Sequence, residues 1–219
     1  MKTSFTPNQA LLIIDVQKDF CDGGSLAVPN SGAIFGALNT KIEQYIQDKK
    51  VIVYTKDWHP PETPHFDKWP VHCVDSSLGA EFATDLFVAD NPLRHESFLV
   101  YKGLGQDDGY SAFSNPQKIL RLGRGPLLVK HLATLLRLRG ITQVEIVGLA
   151  TDYCVQETAL EALDKGFQVT VDLDACAGVD VDGTYVAISK MYRAGIKLIE
   201  EGKELSIIKA PPSVLTPAI

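Results

Sequence analysis

Short apolar runs separated by helix-period segments organise this chain. Residues 10–14, 51–54, 98–101, 144–147, 168–173 and 196–199 are runs of four to six residues rich in Val, Ile, Leu and aromatics. Runs this short read as buried strands. Between them the period changes. Over 32–48, Ile34, Leu38, Ile42, Tyr45 and Ile46 recur on one helical face, and Ser31 is a candidate cap. Amphipathic helices are also predicted over 127–139, over 153–165 with Asp152 as N-cap, and over 183–194. Strands alternating with helices predict an α/β domain: a mainly parallel sheet of roughly six strands with helices on both faces.

Two segments escape this pattern. Residues 55–92 are rich in Pro, His, Trp and Asp and have too many breakers for regular structure. Loops that long inside a compact domain are usually functional. Residues 103–125 are rich in Gly and Asp, and an irregular tail is expected over 211–219. There is no internal repeat and no low-complexity linker.

The polar residues that interrupt the apolar pattern share one location. Asp15, Asp57 with His59, Lys102 and Cys154 each fall at or just beyond the C-terminal end of a predicted strand. Ligands of open α/β sheets bind at that edge. Cys154 stands in the first turn of a helix that follows a strand directly. Free backbone N–H groups and the helix dipole there favour thiolate and could hold an oxyanion. A buried core cysteine is the competing reading of that stretch alone; the convergence of four strand ends favours a nucleophile. Asp15 closes an apolar strand, and a carboxylate there is either a turn cap or a general base. Lys102, ending another apolar strand, reads as the cation opposite it, completing a Cys/Asp/Lys variant of nucleophile, base and orienter.

Asp57, His59, His65 and His72 form a second constellation. One carboxylate with two or three imidazoles suits a divalent transition metal, with Zn ahead of Fe or Mn, and leaves coordination positions open. The alternative is that some of these side chains cap turns. Phe20, Trp69 and Tyr110 could wall a slot for a flat ring, or form a small core beneath the loop. No Gly-rich phosphate loop follows the first strand, which disfavours a nucleotide enzyme.

Composition narrows the reading further. The chain has 219 residues, 45 % hydrophobic, enough for a full core in one domain. A formal net charge of −6 argues against nucleic-acid or anionic-membrane partners. Four cysteines without CxxC spacing point to reduced thiols and a cytoplasmic location. No apolar run approaches membrane-spanning length. Homo-oligomers are common among enzymes of this size, but no stretch identifies an interface.

Five motifs, in order along the chain, resemble the nicotinamidase/pyrazinamidase branch of the isochorismatase-like cysteine hydrolases. They are Ile-Asp-Val-Gln-Lys-Asp-Phe at 14–20, Asp-Trp-His at 57–59, Trp-Pro-Val-His-Cys-Val at 69–74, Tyr-Lys-Gly at 101–103 and Gly-Leu-Ala-Thr-Asp-Tyr-Cys-Val at 148–155. The resemblance implies one isochorismatase-like domain over 1–219 with Rossmann-like strand order, a metal and substrate loop over about 55–92, and hydrolysis of nicotinamide to nicotinate and ammonia in NAD salvage. Pyrazinamide is implied as a further substrate. It also implies Cys154 as nucleophile, Asp15 as general base and Lys102 as its charged partner. A cis Leu149–Ala150 peptide would let the amides of Ala150 and Cys154 form an oxyanion hole. Asp57, His59 and His72 would hold the metal; some family members add a histidine corresponding to His65 and others use a different residue. Phe20 and Trp69 would sandwich the ring, with Leu26 and Tyr110 lining the pocket. Val71 stands where close relatives often have proline. Competing readings are a cysteine amidohydrolase for carbamoyl or ureido substrates, a non-catalytic binding module on the same fold, and a redox role for Cys154.

Overall fold

The first apolar run becomes the central strand, β1 (Gln9–Ile14), in the computed structural model, which describes residues 8–90, 95–105 and 109–206. The other strands are β2 (Val51–Asp57), β3 (Ser97–Lys102), β4 (Lys118–Arg121), β5 (Gly125–Pro126), β6 (Gln143–Leu149), β7 (Gln168–Ala177), β8 (Lys197–Glu200) and β9 (Lys203–Glu204). They form one sheet in the order β5-β4-β3-β2-β1-β6-β7-β8-β9. The six strands expected from the apolar runs are the six that pair in parallel, from β3 across to β8. The expected order is found, with chain direction along the sheet reversing between β1 and β6.

Three edge strands were not expected, and all pair antiparallel. β4, β5 and β9 are too short for their alternation to stand out. β9 returns on β8 through Glu201 and Gly202, both with positive φ (50° and 68°), the conformation of a two-residue hairpin turn.

β1 shows how the faces are filled. Leu11 and Ile13 point into one apolar cluster, and Ala10, Leu12 and Ile14 into the other. All five are fully buried, as a strand covered on both faces requires. One face is covered by α1 (Phe35–Gln47), through Leu38, Ile42 and Tyr45, together with residues of the long loop such as Cys73, Ala80 and Leu86. The other receives α2 (Leu132–Leu138), α3 (Gln156–Asp164) and Met191 of α4 (Val181–Arg193).

Three helix starts differ from expectation. Ser31 does not cap α1; it begins a 3₁₀ turn (Ser31–Ile34), and its hydroxyl donates to Asp22 Oδ1 at 3.4 Å. α2 starts at Leu132 rather than near 127, because Leu127 N–H bonds to Ile119 O beside β4 and Gln117 Oε1 accepts Leu132 N–H. Ahead of α3 the chain makes a π-helical turn (Thr151–Val155). Asp152 does not cap it; its carboxylate accepts the N–H groups of Val179 (2.9 Å) and Asp180 (3.1 Å) before α4. The tail over 211–219 lies outside the described residues. No helix among the described residues is long and apolar enough to cross a membrane.

Candidate active site

β1, β2, β3 and β6 end on the same edge of the sheet, on either side of the point where chain order reverses. Asp15 follows β1, Asp57 and Lys102 close β2 and β3, and Cys154 lies in the turn after β6. Lys102 is at the centre. Its Nζ is 2.9 Å from Asp15 Oδ2, 3.3 Å from Asp57 Oδ1 and 3.6 Å from Cys154 Sγ. The side chains of Lys102 and Asp15 are wholly buried. A buried cation between two carboxylates is tolerable only because all three compensate one another.

These charges set the protonation of the group. Burial alone would pull Lys102 down, but Asp15, Asp57 and Cys154 hold it well above the ordinary lysine value. Burial pushes Asp15 up against the opposing pull of Lys102. Burial also pushes the Cys154 thiol well up, with the two carboxylates adding to it and Lys102 opposing. Burial and the two carboxylates thus oppose the preference for thiolate at a helix start, in keeping with a Cys154 thiol that needs Asp15 as its base.

Two glycines allow the close approaches. Gly148, next to last in β6, has φ +114°, and a Cβ there would meet Ile14 O at 2.2 Å. Gly103 has φ +69°, and a Cβ would fall 2.5 Å from Asp57 Oδ1 and 2.8 Å from His59. No side chain fits at either position. The Leu149–Ala150 peptide is cis, as the resemblance implied.

The histidine cluster stands beside Lys102. The ligand-capable atoms of His59, His65 and His72 all lie within 4.8 Å of one another, and all three residues are buried. Nδ1 of His59 is 3.1 Å from Gly103 O, and Nδ1 of His72 is 2.7 Å from Pro70 O. A carbonyl can only accept, so each Nδ1 donates and each Nε2 is left to face the cluster. Those Nε2 atoms are 3.0 and 3.8 Å from Asp57 Oδ2. His59 Nε2 is buried with no hydrogen-bond partner. An orphaned imidazole nitrogen, two further histidines and a carboxylate fit a divalent metal. Burial would raise Asp57, but Lys102, His59 and His72 hold its carboxyl well below the usual range, so it stays anionic. His95 and His131 lie outside the cluster.

The pocket in front of these groups is lined by Phe20, Leu26, Trp69 and Tyr110, all four expected, together with Asp57, His65, His72, Ala150 and Cys154. Trp69 Nε1 donates to the Tyr110 hydroxyl at 2.9 Å, and the Trp69 ring meets Tyr153 edge-on at 5.1 Å. Phe20 packs against His72 with ring centroids 5.3 Å apart. Tyr153 and Val179 also line the pocket and were not foreseen.

Three positioning groups escaped the sequence reading, Thr55 and Gln17 buried and Asp19 half-buried. Thr55 bonds to Asp15. Gln17 grips the Asp57 backbone: its Oε1 accepts Asp57 N–H at 2.7 Å, and its Nε2 donates to Asp57 O at 2.8 Å and Ala80 O at 2.9 Å. Asp19 Oδ2 accepts Cys73 N–H at 2.7 Å and anchors the histidine loop. A signal for Thr55 was present, since residues two apart on a strand share a face and Thr55 precedes Asp57 by two. Gln17 and Asp19 lie inside the first motif, but their partners are remote in sequence.

A thiol and a carboxylate gathered around one ammonium at the C-terminal edge of an α/β sheet have the composition of a cysteine-hydrolase site. The particular family follows from comparison. The isochorismatase domain matches residues 9–201, and the chain belongs to that family. The nicotinamidase/pyrazinamidase of Mycobacterium tuberculosis is 36 % identical over 198 residues, covering 87 % of this chain and 98 % of that protein. The pyrazinamidase of Pyrococcus horikoshii, solved in complex with zinc, superposes with a TM-score of 0.75 at 35 % identity, covering 89 % of this chain and 99 % of that one. PnC1 from L. infantum, solved in complex with nicotinate, gives 0.71 at 32 % identity, with 88 % and 92 % covered.

Proposed function

We propose that this protein hydrolyses nicotinamide to nicotinate and ammonia through a thioester on Cys154, with pyrazinamide as a further substrate. The observation that carries the reading is one pocket in which Cys154, Asp57, His65, His72 and the aromatic walls face a common space. An aromatic-walled slot suits a flat pyridine carboxamide better than a linear ureido compound. Relatives over most of the chain carry the nicotinamidase or pyrazinamidase name.

The chain's own residues perform the chemistry as follows. Asp15 takes the proton from Cys154 Sγ, and the thiolate adds to the carboxamide carbon. The backbone amides of Ala150 and Cys154 are the donors for the resulting oxyanion. Asp15 returns the proton to the amide nitrogen, the C–N bond breaks, and ammonia leaves a thioester. Asp15 then deprotonates a water that attacks the same carbon; the C–S bond breaks and the proton returns to sulfur as nicotinate departs. Lys102 keeps its charge throughout and holds Asp15 beside the thiol. Asp57, His59, His72 and His65 would hold the divalent metal, zinc first, which when bound supplies a Lewis acid for the pyridine nitrogen.

The test is ammonia release from nicotinamide by the purified protein, with and without a chelator. Release that needs metal agrees with this reading; intact nicotinamide in the presence of metal-loaded protein would overturn it.

A further inference from the structure

Asp15 has a proton to carry, and Lys102 holds one of its carboxylate oxygens; the other oxygen has a partner of its own. Asp15 is an unusual residue to leave loose. It has φ +47°, a left-handed conformation that non-glycine residues rarely adopt, and it is fully buried. Both of its polar ends meet a single oxygen on the neighbouring strand. The Thr55 hydroxyl donates to Asp15 Oδ1 at 2.6 Å and accepts the Asp15 N–H at 3.0 Å. Among the described residues the other acceptor near that hydroxyl, Ile13 O, is 3.5 Å away, so its single proton goes to the carboxylate. Register explains the meeting. Ile13 pairs with Tyr54, which brings Thr55 of β2 level with the exit of β1.

We infer that Thr55 is a positioning residue for the general base: its hydroxyl occupies Asp15 Oδ1 and so aims Oδ2 at Lys102 and the Cys154 thiol. The inference rests on the cysteine-hydrolase reading above. Lys102 Nζ, at 2.9 Å, holds Oδ2 from one side and Thr55 holds Oδ1 from the other, which removes rotation about the Cβ–Cγ bond. With Oδ1 already engaged, Oδ2 is the oxygen that receives the thiol proton and returns it to the leaving nitrogen. A carboxylate that turned freely between these strand ends would spend much of its time off the line of transfer, and a misplacement of about 1 Å can cost about 100-fold in rate.

The test compares Thr55→Val, which keeps the shape and removes the hydroxyl, with Thr55→Ser, which restores it. Two readouts are taken on the protein as purified: kinetics of ammonia release from nicotinamide, and the rate at which iodoacetamide alkylates Cys154, followed at the peptide level. Thr55→Val should lower kcat by about ten- to hundred-fold with little change in KM. It should also slow Cys154 alkylation, and Thr55→Ser should recover most of both. Because valine also leaves the Asp15 N–H buried without an acceptor, the melting temperature is followed for each variant. Wild-type kcat and alkylation in Thr55→Val would overturn the inference. So would a loss carried by KM or by the melting temperature and not restored by serine, which is how a merely structural hydroxyl behaves. If wild-type protein leaves nicotinamide intact while Thr55→Val still slows alkylation and Thr55→Ser restores it, the substrate assignment falls and the positioning role stands.

Discussion

The two halves of the site are built differently. Asp15 and Lys102 stand at the ends of parallel strands and Cys154 in the turn just beyond a third, where sheet register sets their spacing. His59, His65 and His72 ride on a long loop containing only a short 3₁₀ turn (Pro64–Asp67) among its described residues. Isolated contacts hold that loop in place. His59 N–H bonds to Cys73 O, Asp75 N–H to His59 O, and Cys73 N–H to Asp19. Continuous backbone ladders therefore place the reacting groups, while a few isolated backbone and side-chain hydrogen bonds place the histidines that would grip metal. Lys102 joins the halves by touching a carboxylate of each, Asp15 and Asp57. Chemistry that tolerates little positional error sits on the rigid elements, and recognition sits on the irregular one.

This contrast can be broken from either side. The largest effect belongs to the strand ends: Cys154→Ala should lower turnover by at least about 10⁴-fold while leaving metal content and nicotinamide binding intact. Ammonia assays paired with calorimetric binding check this, and substantial residual turnover would remove Cys154 as the nucleophile. Lys102→Met should come next, because it leaves two buried carboxylates facing one another without their cation. A stability loss of about 3–5 kcal/mol in denaturant melts is expected, with activity lost as well.

On the loop side, His59→Ala should weaken metal binding and raise KM, with Cys154 alkylation still near the wild-type rate. Metal analysis after dialysis reads the first effect, and unchanged metal content would count against the ligand set. Gln17→Ala probes the join between the halves. Stripping the partners from the Asp57 and Ala80 backbone groups should cost about 1–3 kcal/mol of stability and loosen metal binding as well. Equal metal affinity in that variant would mean that Asp57 needs no such clamp. The smallest effect is expected at Val71, which is 59 % exposed within the metal loop. Val71→Pro should change stability by no more than about 0.5 kcal/mol and leave metal content unchanged.

How legible each part was follows from the same contrast. All six parallel strands were readable because each carries a short apolar run, a local property, and β1, β2 and β3 are buried on both faces. Cys154, Asp15 and Lys102 were readable because each interrupts or ends such a run. The antiparallel edges were not, since two-residue strands such as β5 and β9 carry no periodicity of their own. The capping role given to Asp152 failed for a related reason. An aspartate ahead of a helix is a local signal, but here the Val179 and Asp180 amides, 27 and 28 positions away, take both of its oxygens.

By itself, then, the sequence determined the class of fold, the edge of the sheet where chemistry collects, and the residue types available there. Burial patterns and strand ends are written in neighbouring residues. Only the tertiary structure decided that His65 joins His59 and His72, that Thr55 and Gln17 hold the two aspartates, and that burial and two carboxylates oppose a Cys154 thiolate. The first two depend on which distant backbone and side-chain atoms a loop or a register brings within hydrogen-bonding reach. The third depends on the sum of desolvation and three nearby charges, which exists only once the four strand ends have been brought together.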